Sequence, residues 1–170
     1  STHLPIIIYN NKPKTNVTVT PETIARLAQI ENIVGVKDST GDMTNTEEYI
    51  RLTRGIDNFG VLLGRDTLIY AGLCYGAVGA IASCANVAPK VASDIYDKYV
   101  AGDLQGALEA QFELAPLRIA CNMGTFPAVI KEGLVMQGFE VGKCLEPIAE
   151  ITENEKEKLR EVLREMKLLH

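Results

Sequence analysis

The chain has 170 residues, 46% of them hydrophobic, and a formal net charge of −5 at pH 7. That is enough apolar material for one core or slightly more, and the basic residues are too few and too scattered for a nucleic-acid surface. No apolar run reaches transmembrane length, the longest being the strand-sized residues 77–82, so a membrane-embedded chain is not expected.

Residues 4–9, Leu-Pro-Ile-Ile-Ile-Tyr, read as a buried strand entered directly from Ser1-Thr2-His3, without the pattern of a signal peptide. Thr20-Pro21-Glu22 opens a helix, with threonine as N-cap and proline at the first helical position, running to about Gln29. Residues 33–37 form a second apolar strand, and residues 44–54 a helix with Tyr49, Ile50 and Leu52 available to its buried side. Residues 61–64 are a third, short strand, followed by a helix over 67–75. Residues 77–83 are a fourth strand of small residues, followed by a helix over 89–101. Four successive βα units with apolar, non-alternating strands predict an α/β fold with a buried parallel sheet.

From Leu104 onward only helices are expected. Residues 104–122 carry Pro116, which predicts a kink or break, and residues 127–137 form another helix. Thr152-Glu153-Asn154-Glu155 has the form of a capping box. It opens a helix whose Leu159, Val162, Leu163 and Met166 share one stripe, the spacing of ordinary packing.

Lys37 carries the chemistry. It ends the run Ile33-Val34-Gly35-Val36, and an ammonium at the mouth of a buried strand either snorkels to water or serves a reaction. One βα unit upstream, Tyr9 ends its strand in the same way. A lysine nucleophile and a tyrosine proton carrier at the carboxyl ends of parallel strands point to carbonyl chemistry through a Schiff base. His3 and His170 lie at the termini, and Cys74, Cys84, Cys121 and Cys144 form no C-x-x-C pair. Histidine-dependent triads are thereby excluded, no metal site or disulfide scaffold is expected, and a reducing, cytoplasmic setting fits. Asp38 follows Lys37 but faces the other side of the strand, so a structural salt bridge or helix cap is expected of it. Gly41-Asp42 reads as the turn that starts the next helix.

Tyr9-Asn10, Val34-Gly35-Val36-Lys37-Asp38, Gly79-Ala80-Ile81 and Ala85-Asn86-Val87-Ala88-Pro89 together resemble the dihydrodipicolinate synthase / N-acetylneuraminate lyase family of pyruvate-dependent class I aldolases. The resemblance covers essentially the whole chain, but the chain covers only part of the family. Its fold is a (β/α)8 TIM barrel of about 250 residues before any extension. The resemblance therefore implies the C-terminal half of a TIM barrel, four βα units (family units five to eight) in residues 1–102. An all-helical C-terminal extension follows in residues 103–170. The first four units would be missing, and Ser1 is not a natural start.

By the same resemblance, Lys37 matches the lysine that condenses with the ketone of pyruvate or another 2-oxo acid. Tyr9 matches the tyrosine that shuttles protons, Ile81 the residue whose backbone carbonyl faces the lysine side, and Gly64 and Asp66 the loop shaping the substrate pocket. Lys14 sits where the synthases carry an arginine that grips the second substrate's carboxylate; the charge is kept but the bidentate fork is lost. Asn122-Met123-Gly124-Thr125-Phe126-Pro127 also departs from the Asn-Pro-containing stretch of those enzymes.

The implied activity is a Schiff-base lyase like dihydrodipicolinate synthase, condensing pyruvate with aspartate semialdehyde and needing no cofactor. The alternative is an aldolase cleaving 2-keto-3-deoxy sugar acids or 4-hydroxy-2-oxoglutarate. The family's carboxylate-binding loop and a second tyrosine from a neighbouring subunit belong to the missing half. The isolated chain is thus expected to be inactive, with that half, or another copy of the chain, as its partner in a homo-oligomer. A non-catalytic, self-associating half-barrel is the reading of another class.

Overall fold

The computed structural model describes residues 2–169, so Ser1 and His170 lie outside the described residues. The chain divides into two compact units, Ser1–Ala82 and Ser83–His170.

The first unit is a parallel four-stranded sheet in the order β1-β2-β3-β4. The strands are β1 (Ile6–Asn10), β2 (Ile33–Asp38), β3 (Gly60–Leu63) and β4 (Gly79–Ala80). Its helices are α1 (Lys12–Thr15), α2 (Pro21–Leu27), α3 (Met43–Thr53) and α4 (Ile69–Tyr75), the last preceded by a 3-10 turn over Asp66–Leu68. Thr20 caps α2, its side chain accepting from the Thr23 amide, and the carboxylate of Asp42 caps α3, accepting from the amides of Thr44 and Asn45. The turn at Gly41-Asp42 therefore opens α3, one residue earlier than the sequence predicts.

Alternation along the strands separates two faces. Val36 and Val61 form a buried cluster with Ile24 of α2 and Tyr49 of α3, and Ile8, Val19, Ile50 and Phe59 pack against it. On this helical side α4 comes so close to β3 that a Cβ on Gly72 would lie 2.1 Å from Leu63 Cδ2. On the other face Gly35 and Gly60 stand in register, where a Cβ on Gly35 would meet the Gly60 carbonyl oxygen at 2.6 Å.

Three expectations change here. The strand Leu4-Pro5-Ile6-Ile7-Ile8-Tyr9 begins and ends later, and it is not buried: Leu4, Ile6, Ile7 and Tyr9 are exposed. The reason is topological, because β1 is an edge strand paired only with β2. The fourth strand pairs over Gly79–Ala80 alone, since Gly79 has φ 155° and the chain turns into a 3-10 segment by Cys84. The short helix α1 was not foreseen; it has Pro13 in its first turn and ends on Asn16 in the left-handed conformation, φ 56°.

The second unit opens with the 3-10 turn Cys84–Asn86 and continues with α5 (Pro89–Val100), α6 (Leu104–Ala120), α7 (Ala128–Met136) and α8 (Glu153–Glu165). Its buried apolar residues include Val87, Ile95, Leu114, Leu117, Val129, Leu159 and Leu163. The sequence reading groups the helix over 89–101 with the βα units, whereas α5 belongs to the same compact unit as the later helices. Of the kink or break expected at Pro116, the break does not occur: α6 runs through it. The carbonyl left without an N–H partner is that of Phe112, an exposed residue, where water can serve it. The capping box of α8 forms as expected, Thr152 and Glu155 each bonding the other's amide. Leu159, Leu163 and Met166 are buried along the expected stripe, with Val162 half-buried. Among the described residues no helix is long and apolar enough to cross a membrane.

Candidate active site

Parallel pairing of β1 with β2 sets Tyr9 opposite Lys37 and Asn10 opposite Asp38. Pairing of β2 with β3 sets Lys37 opposite Leu62 and Asp38 opposite Leu63. With side chains alternating, Tyr9, Lys37, Ser39 and Gly64 come to one face at the carboxyl ends of the strands, and Asn10, Asp38 and Leu63 point into the helical side.

On the first face the ammonium of Lys37 lies 4.5 Å from the centre of the Tyr9 ring. That is a cation–π contact between the two residues singled out by sequence. Tyr9 is 53% exposed, and Asn11 Nδ2 donates to its hydroxyl at 2.8 Å. Gly64 closes the side of Lys37: a Cβ there would sit 3.0 Å from Lys37 Cε and 1.9 Å from Ser39 Oγ. Its amide donates to the Asp38 carbonyl at 2.7 Å, drawing the end of β3 against β2. Ile81 follows β4, its amide donating to the Leu63 carbonyl at 2.9 Å and its side chain exposed.

The opposite face is a closed polar lock. Asp38, 1% exposed, accepts from Thr46 Oγ1 at 2.6 Å, Thr40 N and Thr40 Oγ1 at 3.1 Å, Asn10 Nδ2 at 3.2 Å and Asn45 Nδ2 at 3.3 Å. No cation among the described residues pairs with it. It is neither a salt-bridge partner nor the cap of α3, which is Asp42, but a carboxylate satisfied by neutral donors. Asn10 is satisfied as fully: Nδ2 also donates to the Tyr49 hydroxyl at 2.8 Å, and Oδ1 accepts from the Val19 amide at 3.2 Å. The Tyr49 hydroxyl in turn donates to the Val19 carbonyl. Burial pushes the Tyr49 phenol above its usual range, and the neighbouring Asp38 carboxylate pushes the same way.

Of the residues expected at the site, Lys37, Tyr9 and Gly64 are brought together. Ile81 stands one position beyond β4, beside the end of β3. Lys14 is exposed on α1, its amide donating to the Asn11 carbonyl at 2.9 Å, and its side chain makes no hydrogen bond or ion pair among the described residues. Asp66 is buried at the head of the 3-10 turn in the loop after β3. Asn10, Asn11 and Ser39 were missed. A polar residue ending an apolar strand, and a hydroxyl two residues past the lysine and so on its face, were the available signals.

The chain matches the family model described as the dihydrodipicolinate synthetase family over residues 1–166, and it belongs to that family. It is 37% identical over 166 residues to 4-hydroxy-tetrahydrodipicolinate synthase of Archaeoglobus fulgidus, covering 98% of this chain and 57% of that one. Among solved structures it is similar to dihydrodipicolinate synthase from Thermotoga maritima, with TM-score 0.95 and 35% identity over 99% of this chain and 58% of the other. It is also similar to a prophage protein of the same family from E. coli K12 in complex with pyruvate, with TM-score 0.93 and 30% identity over 98% of this chain and 57% of the other. The chain thus spans somewhat more than half the length of these relatives.

Proposed function

We propose that this chain is the C-terminal half of a (β/α)8 barrel with its helical extension, and that Lys37 is the Schiff-base nucleophile of a pyruvate-dependent lyase. The observation that carries this reading is the Lys37–Tyr9 pair, side by side on adjacent strands at their carboxyl ends. Family membership and the pyruvate bound to the E. coli relative support it.

The chemistry follows from the groups. The neutral amine of Lys37 adds to the keto carbon of pyruvate, and the resulting carbinolamine expels its hydroxyl as water to leave an iminium. The iminium takes up the electron pair when a proton leaves the methyl carbon, and the enamine formed attacks the aldehyde of a second substrate. Hydrolysis of the new iminium returns the lysine. Tyr9 carries protons to and from the carbinolamine oxygen, a role that depends on its hydroxyl standing within hydrogen-bond reach of that oxygen.

The dihydrodipicolinate synthase reaction, with aspartate semialdehyde as second substrate, is the favoured activity. Lys14, exposed and offering a point charge where those enzymes use a guanidinium fork, favours the second reading, cleavage of 2-keto-3-deoxy acids or 4-hydroxy-2-oxoglutarate. Gly64 lines the lysine's side of the pocket, and Ile81 and Asp66 shape its rim through backbone and fold. The groups that would hold the pyruvate carboxylate lie in the other barrel half, the expected partner of this chain. The unpaired edge of β1, with Ile6 and Ile7 exposed, suits that half or a second copy.

Borohydride reduction in the presence of pyruvate, followed by mass spectrometry, tests the assignment. The protein containing this chain should gain a reduced pyruvate adduct at Lys37, and Lys37→Ala should gain none. An adduct that survives Lys37→Ala refutes the nucleophile. An adduct on the isolated 170-residue chain refutes its dependence on a partner half. Comparison of semialdehyde condensation with cleavage of a 2-keto-3-deoxy acid then separates the two activities. An isolated chain that self-associates without forming an adduct in any assembly returns it to the scaffold reading.

A further inference from the structure

Ser39 is 8% exposed, and its Oγ is the buried side-chain polar atom among the described residues that has no hydrogen-bond partner. Burying a hydroxyl unsatisfied is costly, and a methyl group in its place would be free of that cost. The nearby backbone groups are already engaged: the Ser39 amide donates to the Asn10 carbonyl at 2.9 Å, and the Asp38 carbonyl accepts from Gly64. Lys37 has the complementary lack. It stands two residues away on the same face, its nitrogen lies over the Tyr9 ring, and no acceptor among the described residues takes any of its N–H groups. The two side chains converge on Gly64, where a Cβ would lie 1.9 Å from Ser39 Oγ and 3.0 Å from Lys37 Cε. The third residue at this point has no side chain, which leaves the lysine and the hydroxyl room to meet.

We infer that Ser39 is a positioning residue for Lys37, its hydroxyl accepting an N–H of the lysine when the nitrogen swings off the Tyr9 ring. This inference rests on the Schiff-base reading. A bond from one N–H to Ser39 Oγ fixes the rotation about the last carbon–nitrogen bond and so turns the amine lone pair toward the keto carbon. Ser39 makes no covalent bond and transfers no proton in this step. It sets the direction of attack, while Tyr9 handles the proton of the carbinolamine oxygen.

The test is the rate of borohydride-trapped adduct formation over a series of pyruvate concentrations, in the whole protein carrying this chain. Wild type, Ser39→Ala, Ser39→Thr and Lys37→Ala are compared, with thermal unfolding of each. Ser39→Ala should lower the maximal trapping rate about tenfold, the worth of one hydrogen bond to a reacting nitrogen, at unchanged half-saturating pyruvate. Its midpoint of unfolding should stay or rise, because an unsatisfied polar atom has been removed. Ser39→Thr, which keeps the hydroxyl, should recover most of the rate. A wild-type rate in Ser39→Ala overturns the inference and leaves the Schiff base standing. Weakened half-saturation at full maximal rate overturns it as well, in favour of a direct contact between Ser39 and substrate. A lowered unfolding midpoint also overturns it, by showing the hydroxyl already bonded in the resting protein. If wild type itself forms no adduct at Lys37, the Schiff-base reading fails and this inference with it.

Discussion

Replacing Asp38 by asparagine separates a chemical role for this carboxylate from a structural one. Asp38 adjoins Lys37 in sequence but faces the helices, where two oxygens receive bonds from Asn10, Thr40, Asn45 and Thr46. An amide fits the same space with one oxygen. Its best orientation keeps the oxygen toward Asn10 Nδ2 and Thr40 N and turns the NH2 toward the hydroxyls of Thr40 and Thr46. Those hydroxyls can reverse, since Thr46 Oγ1 already has the Asp42 carbonyl at 3.2 Å as another acceptor. Asn45 Nδ2 cannot reverse and loses its partner. The remaining bonds also lose their charge assistance, worth about 1 kcal/mol for the stronger ones, so the whole change should cost about 2–3 kcal/mol. Urea unfolding followed by far-ultraviolet circular dichroism should show a lower midpoint at unchanged m-value. The rate of adduct formation at Lys37 should stay at the wild-type level in conditions where the variant is folded. The structural assignment would be refuted by a variant within about 0.5 kcal/mol of wild type in stability, the range of an inconsequential substitution, whose adduct formation had collapsed.

Two further perturbations probe the same unit. Tyr49→Phe strips the hydroxyl that donates to the Val19 carbonyl and accepts from Asn10, and should cost about 1–3 kcal/mol at neutral pH. Because burial raises the Tyr49 phenol above its usual value of 10.0, the unfolded chain releases this proton first as pH rises. The wild type therefore keeps this contribution fully below pH 10 and loses it as pH climbs through the folded value, and the phenylalanine variant should lack that part of the alkaline slope. Identical slopes in urea titrations across that range would show the phenol to be solvated. Gly35→Ala places a Cβ 2.6 Å from a backbone oxygen of the neighbouring strand, which has no rotamer with which to yield. It should destabilise by about 2–3 kcal/mol in thermal unfolding, and a neutral result would mean that β2 and β3 can part without cost.

What could be read from the sequence was what local chemistry dictates. The caps at Thr20 and Thr152 and the turn before α3 follow from side chains that satisfy nearby amides, and each formed. The meeting of Lys37 and Tyr9 was legible because each ends an apolar run one βα unit apart, and parallel strands in matching register bring such ends together. Features set by distant partners were not legible. Ile6 and Ile7 have the composition of a buried strand, yet their exposure depends on which strands flank β1, and sequence composition carries no record of that. The run 77–83 looks like a strand throughout, but it pairs over Gly79–Ala80 alone, because Gly79 takes a positive φ and the chain turns into a 3-10 segment by Cys84. The grouping of α5 with the later helices depends on packing choices that its own amphipathic pattern leaves open.

The missed residues have a common cause, which also explains why the candidate site sits where it does. Asn10 and Ser39 acquire meaning only after the register of β1, β2 and β3 is known. Given that register, each residue of the candidate pair is followed by a polar residue locked on the opposite face: Tyr9 by Asn10, and Lys37 by Asp38. A one-residue slip of β1 against β2 would move Tyr9 to the helical side and separate Asn10 from Asp38 at the same time. The slipped pairing would strip a donor from both Asp38 and the Tyr49 hydroxyl and leave the Val19 amide without its acceptor, which together cost more than the exposed Tyr9–Lys37 contact is worth. The register of the candidate face is therefore enforced from behind it, by Asn10, Asp38, Thr46 and Tyr49. Ser39 is the exception that identifies itself: among the described residues of the front face it alone is buried, polar and unsatisfied, with a hydrogen bond still to make.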